Sequence, residues 1–381
     1  MRRILSLFLW VVLFLAACQA DAPITPSPTA VPSTATSLLL TAVPPAATAL
    51  PPTAVDTAVP PSPHPPTPHP LTPEIPVTEI PLAGPIANRN AEISGLAWYG
   101  DTLILLPQYP DFNGRGPADG YVYALPRADI EAFLRGELAG PLEPQAVPFV
   151  APGLGRSVKG FEGYEAIAFD GETAYLTIEA SGGGMMGYLA RGSIAPDLSA
   201  LTLDVNQIAP IEPQTDIGNL SDEAVLWADG RILTFYEANG AVNPSPAAHL
   251  FDAELKEMGT AVFPRVEYRI TDATEVDGDG RFWAINYNYP GNKELQTDDD
   301  PLAEMYGEGP THAQSDGVER LLQFQYDESG VSLIEQPPVQ LQLADDLRNW
   351  EGIVRLGDQG FLLVTDKFPT TILGFVPLPE G

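Results

Sequence analysis

The chain has 381 residues, a single cysteine, and 50 acidic against 19 basic side chains, for a formal charge of −31. A surface this acidic repels nucleic acid and anionic lipid head groups, so neither is expected as a partner. One cysteine and four histidines exclude a disulfide-stapled scaffold and leave too few ligands of the right kind for zinc.

The chain opens with Met1-Arg2-Arg3, and an apolar run broken only by Ser6 leads to Leu15-Ala16-Ala17-Cys18. A positive start, an apolar stretch and small residues before a break predict a signal peptide over 1–17. The run is shorter than the roughly 20 apolar residues a spanning helix needs. Leu-Ala-Ala-Cys resembles the bacterial lipobox, which implies lipidation at Cys18 and a membrane anchor on the extracytoplasmic face. Several acyl chains on one residue give firm attachment, at about 0.8 kcal/mol per buried CH₂.

Residues 19–85 hold 19 of the 41 prolines and no Lys or Arg. Proline cannot donate to a ladder, and few large apolar groups offset chain entropy. A disordered, partly polyproline-II tether is expected over 18–74. The folded domain is expected over 75–381.

Five stretches of that domain align: Ser94-Gly95-Leu96, Glu165-Ala166-Ile167, Glu223-Ala224-Val225, Asp272-Ala273-Thr274 and Glu351-Gly352-Ile353. Each runs into a Gly/Asp turn and then an apolar strand, which describes a β-hairpin five times over. Two weaker strands follow each of the first four hairpins, and one follows the last. The missing strand is expected from Ile75–Asn88, closing the ring and removing the open sheet edges. The fold class is therefore all-β: a single, monomeric β-propeller of five four-stranded blades, with six blades as the alternative. Arg127–Leu138 reads as an insertion with a helical stripe, and Asn292–Gln314 as a polar loop.

In a propeller the first strand of each blade lines the central channel, so the residue opening it should neighbour the residue closing the next strand. The closing residues are Gln108, Glu179, Glu237, Asn286 and Asp366. Seven acids should thus gather at one mouth: Glu165, Glu179, Glu223, Glu237, Asp272, Glu351 and Asp366. Crowded carboxylates call for a cation, and a hard ion with six to eight oxygen ligands, Ca²⁺, is the expected resident. The bland reading is that such carboxylates accept backbone N–H groups of the neighbouring blade. Long loops leave the acid-bearing ends and should carry a small-molecule or surface ligand. Arg156, Lys159, His312 and Lys367, with Arg115 and Lys293 nearby, are the expected contacts for an anionic substrate.

The run Glu165-Ala166-Ile167-Ala168-Phe169-Asp170-Gly171, together with Glu351-Gly352-Ile353, resembles the phytase-like propeller family, described as having esterase-like activity of phytase. It is similar too to extracytoplasmic propellers of the SdiA-regulated type. That resemblance implies a Ca²⁺-dependent hydrolase of a phosphoester or ester. The acidic mouth departs from a phytate site, which needs Arg and Lys clusters or several bridging ions. A non-catalytic ligand-binding module and a propeller glycosidase are the alternatives, the latter with Trp350 as its one sugar-stacking residue. No Gly-x-Ser-x-Gly, P-loop or His-Glu-x-x-His pattern is present.

Overall fold

Each of the five repeats folds as the inner hairpin of a blade. Blade one comprises Ile93–Tyr99, Thr102–Pro107, Tyr121–Pro126 and Gln145–Val150; blade two Phe161–Asp170, Thr173–Ala180, Met186–Ile194 and Leu201–Ile211. Blade three is Asp222–Ala228, Arg231–Tyr236, Ala247–Asp252 and Glu257–Val262. In blade four, Arg269–Ala273 and Arg281–Asn288 precede Val318–Asp327, which pairs outward with both Gly330–Leu333 and Val339–Leu341. The five inner strands pack side by side into a closed ring, blade five against blade one. The computed structural model describes residues 72–114, 119–297 and 299–379. The signal segment, Cys18, the tether up to residue 71 and Arg115 lie outside them. Among the described residues no helix is long and apolar enough to cross a membrane.

Blade five is closed as the sequence implied. Trp350–Arg355, Gly360–Thr365 and Leu373–Pro377 supply three strands, and Thr78–Ile80 adds the fourth, with Thr78 opposite Phe375 and Ile80 opposite Leu373. Just before it, Glu74–Ile75 runs parallel to Val339–Leu341 on the rim of blade four. The N-terminal segment therefore crosses the seam between the last two blades. Ile80 is fully buried, and burying one such side chain contributes about 1.5–3 kcal/mol. A protein starting at residue 72 should melt like the full chain. One starting at residue 82 should lose several kcal/mol and melt at least ~10 °C lower, because two strands are lost and two edges are opened. Equal melting temperatures in calorimetry would disprove closure by the N-terminal strand.

Local chemistry explains why the repeat looks as it does. Every inner hairpin carries a register shift at its opening: Ile93/Gly95, Tyr164/Ile167, Asp222/Ala224, Ile270/Ala273 and Trp350/Gly352. A bulge re-aims the extra residue, which places the recurring polar side chain at the channel. The small residue after it is needed for space: a Cβ on Gly352 would lie 2.7 Å from Val364 and 2.9 Å from Leu96 of the next inner strand. The Asp229-Gly230 turn has positive φ at both positions (49° and 77°), as a tight two-residue hairpin requires.

Between blades the faces are apolar. Phe235, Phe263, Phe282 and Phe324 form a stack joining blades three and four, with ring centroids 4.9–5.4 Å apart. Blades one and two are joined further out, where Leu201 and Thr202 pair in parallel with Phe149 and Val150, making one eight-stranded sheet of the two.

The last strand of blade three ends at Val262, and Arg269 already opens blade four. The outer edge of blade four is divided into two short strands. One local expectation is corrected: the Asn292–Gln314 loop carries a helix, Pro301–Tyr306, whose first amides are capped by the Asp300 carboxylate. The stripe at Ile130 does form a helix, Arg127–Leu134, with Ile130 buried.

Candidate functional site

The inner strands open, and the second strands close, at one mouth of the channel. A cavity of about 1320 Å³ is sunk there. Of the ten polar residues counted along the hairpins, Ser94, Gln108, Glu165, Glu179, Glu223, Glu351 and Asp366 line it. Five of the seven predicted acids are thus brought together.

The other two acids have different places. Glu237 is fully buried and paired with Arg269, outside the cavity lining. Asp272 also leaves the mouth. Its Oδ2 accepts the Ile353 amide at 2.8 Å, and Leu96 contributes a second backbone bond from across the channel. The reason is the earlier start of blade four: Arg269, not Asp272, stands at the level of the mouth. Asp272 fulfils the bland reading, a buried carboxyl satisfying neighbouring inner strands. Asn286 is structural too, donating to the carbonyls of Glu267 and Arg269 and accepting from Arg320.

Arg269 is the residue the sequence reading missed. Its guanidinium donates to Glu351 at 3.2 Å and to Glu223 at 3.4 Å, and its Nε faces Glu237. Asn349 accepts a further bond at 3.4 Å, and the ring of Tyr287 lies 5.6 Å away. One arginine thus bridges carboxylates from blades three and five. The available signal was a basic residue three positions ahead of the repeat in a chain with few of them. In the register it pairs directly with Tyr287.

Burial dominates the ionisation of the ring. It raises Glu165 and Glu351 well above the ordinary carboxylic range; the charges of Glu179 and Glu223 add to the effect on Glu165, while Arg269 opposes it on Glu351. Glu179 is pushed up to about 8 by burial and by Glu223. Glu223 reaches about 7, because Arg269 counters its burial. Burial also raises Asp366.

A calcium ion draws about six to eight oxygens to within ~2.6 Å; among the described residues no three His, Cys, Asp or Glu side chains already stand at metal-holding distances. The position between Glu223, Glu237 and Glu351 is held by a guanidinium.

Of the four cations expected on the rim, one lines this cavity. Lys367 does so while paired with Glu92. Arg156 borders a separate cavity of about 280 Å³ with Asp111 and Asp119, and Lys159 is exposed away from both. His312 is a buried structural residue: Nδ1 lies 2.9 Å from Glu74 Oε1, and Nε2 accepts the Glu319 amide. It was misplaced because an apparently loose polar loop is folded inward against the N-terminal strand. Trp350 is fully buried with its Nε1 on Glu319, so it cannot stack on a ligand. The aromatic rim is instead Tyr109, Tyr289 and Phe368, which are 37%, 50% and 54% exposed. Asp345, Asp346, Leu347 and Asn349 also join the rim, as do Phe368 and Pro369 beside Lys367.

Fold and site together define a five-bladed β-propeller with an acidic, arginine-centred funnel at one channel mouth. No protein-family model and no curated protein matches the sequence. Among solved structures it is similar to a bifunctional GH43-CE protein of Bacteroides eggerthii (12% identity, TM-score 0.42), covering 80% of this chain and 35% of that one. It is similar to the catalytic domain of Coprinopsis cinerea GH62 α-L-arabinofuranosidase at 10% identity and a TM-score of 0.42, covering 80% and 97%. A putative oxidoreductase (glucose dehydrogenase) of Thermus thermophilus gives 10% identity and a TM-score of 0.43, covering 79% and 99%.

Proposed function

We propose that this protein is a propeller glycoside hydrolase whose pocket is the funnel at the channel mouth. The carrying observation is a concave polar cavity in which buried carboxyls from three blades face one space, some isolated and some beside an arginine. Environments that separate the ionisation of neighbouring carboxyls create an acid and a base from like residues. Glu179, holding its proton to about pH 8, is placed to act as the acid that protonates a leaving oxygen. The Glu223–Glu351 pair shares its charge over Arg269 and supplies the carboxylate that attacks or activates water. Tyr109, Tyr289 and Phe368 offer ring faces to a sugar at the rim.

A Ca²⁺-dependent phosphoester hydrolase, the activity implied by the phytase-like resemblance, has less support. A phosphate would meet nine carboxylates and three basic side chains, two of which, Arg269 and Lys367, already have acidic partners. A passive binding module remains the second reading, favoured by the openness of the rim aromatics. The lipobox-like Leu15-Ala16-Ala17-Cys18 supports the same protein being held at the cell membrane on its extracytoplasmic face.

The test is hydrolysis of a panel of nitrophenyl and alkyl glycosides. Glu179→Gln should lower kcat on alkyl glycosides by about 10²–10⁴, and by far less on nitrophenyl glycosides, whose leaving group needs no proton. A parent without activity on any glycoside, or equal losses on both substrate types, would defeat the assignment.

A further inference from the structure

The funnel is unevenly neutralised. On the side of blades three to five, Arg269 sits among Glu223, Glu237 and Glu351. On the side of blades one and two, Glu92 has Lys367, but Glu162, Glu165 and Glu179 find only neutral neighbours. Glu165 receives the Gln108 amide at 3.1 Å, Glu162 the Ser181 hydroxyl, and Glu179 has Ser221 beside it. Glu165 and Glu179 are only 7% and 5% exposed, and both line the cavity. Tyr109 lines the cavity beside this group: its hydroxyl is pushed up to about 12 by burial and by Glu165, Glu92, Glu162 and Glu179.

A second observation points to an occupant. Tyr287 is 3% exposed and lines the same cavity, yet its hydroxyl has no hydrogen-bond partner among the described residues. The ring is buried and the hydroxyl meets the cavity. A hydroxyl held at a cavity wall by a buried ring, with no protein partner, is available to a ligand atom.

On the glycosidase reading above, we propose that the ligand is an amine-bearing sugar, its ammonium seated between Glu165 and Glu179 beside Tyr109 and one of its oxygens meeting Tyr287. An ammonium brings three donors and favours an aromatic face. It supplies to this side of the ring the charge that Arg269 supplies to the other. It is also compatible with the failure of three carboxylates to converge as a metal would need.

Binding must then expel a proton. Burial keeps Glu165 and Glu179 protonated when free; an ammonium between them favours loss of one proton, and the other stays with the pair to serve the leaving oxygen. The other charged or titratable groups lining the cavity are Glu92, Tyr109 and Glu162 on the near side, Glu223, Arg269, Tyr287, Glu351 and Asp366 across it, and Arg89, Tyr289, Asp345, Asp346 and Lys367 at the rim. Affinity should rise as pH climbs toward neutrality, since less work is then needed to remove the proton.

The experiment is isothermal titration of the full chain with methyl glucosaminide, methyl glucoside, methyl glucuronide and spermidine. It is run at about pH 6.5 in two buffers of different ionisation heat. The glucosaminide should bind at least ~10-fold tighter than the glucoside, the glucuronide should not bind, and the buffer dependence should show about one proton released. Glu165→Gln and Glu179→Gln should each remove most of that preference. Tyr287→Phe should weaken both the glucosaminide and the glucoside without lowering Tm, because its hydroxyl has no partner to lose. If the glucoside binds as tightly as the glucosaminide, or no proton is released, the ammonium is refuted while the glycosidase reading stands. Spermidine binding with proton release and no sugar binding would uphold the cation and remove the glycosidase. No binding of any of the four would overturn the proposal.

Discussion

Replacing Arg269 by methionine should destabilise the propeller by about 3–5 kcal/mol at neutral pH, the cost of leaving buried charge without its partner. The guanidinium bonds Glu223 and Glu351, faces Glu237 from Nε, and is the only basic group among the described residues in contact with these three carboxylates. A methionine of similar length fills the volume, so the loss reads charge and not packing. Mild acid should reverse much of it. Once Glu223 and Glu351 are protonated in the folded state, little is left uncompensated. Urea denaturation at about pH 5 and about pH 7.5 is the measurement, and the penalty should shrink to roughly a third at the lower value. A penalty unchanged by pH would mean that Arg269 matters through shape, and the picture of it as the ring's internal cation would fail.

The second large effect concerns Glu179 and has the opposite sign. Its folded-state value of about 8 lies above the ordinary 4.5. In that window the folded protein keeps a proton that the unfolded chain releases. Stability is therefore fully present below about pH 4.5 and declines as pH rises through about 8. The decline is of the order of 2–5 kcal/mol, given about 1.4 kcal/mol per unit. Glu165 and Glu351, raised in the same direction, steepen it. Glu179→Gln removes the titration while keeping the shape. The variant should match the parent near pH 5 and exceed it by about 1–3 kcal/mol near pH 8.5, in parallel denaturant melts. A variant less stable than the parent by the same amount at both values would show that Glu179 is a structural acceptor, and the assignment of it as an acid would fall with that result.

How far the sequence carried is best seen in particular residues. The five hairpins were legible because a bulge, a small residue and a Gly/Asp turn each leave a local mark, and a ring repeats them. Closure by residues 78–80 was legible because a four-strand count came up one short at the C-terminus. The collection of Glu165, Glu179, Glu223, Glu351 and Asp366 at one mouth followed from strand geometry alone. Blade four defeated the same logic: Asp272 matches the repeat in type, but its strand starts three residues earlier, at Arg269. Counting acids also hid the answer to their repulsion. A search for what neutralises the ring looked for an ion, because a single arginine inside an apolar-looking strand carries no pattern. His312 and Trp350 were misjudged for a related reason. Their partners, Glu74 and Glu319, are 238 and 31 residues away in the chain.

The Glu74 contact has a mechanical meaning. Its carboxylate accepts the amides of Thr311 and His312 and meets the His312 ring, while Thr72 bonds the Tyr306 and Glu308 carbonyls. Tension on the chain ahead of residue 72 is therefore taken up first by the helix-bearing insertion of blade four. It reaches the strand that completes blade five only after this clasp has failed. The element that seals the ring is shielded from load by a separate fastening one blade away, so the leading segment can be tugged without the funnel being unlatched.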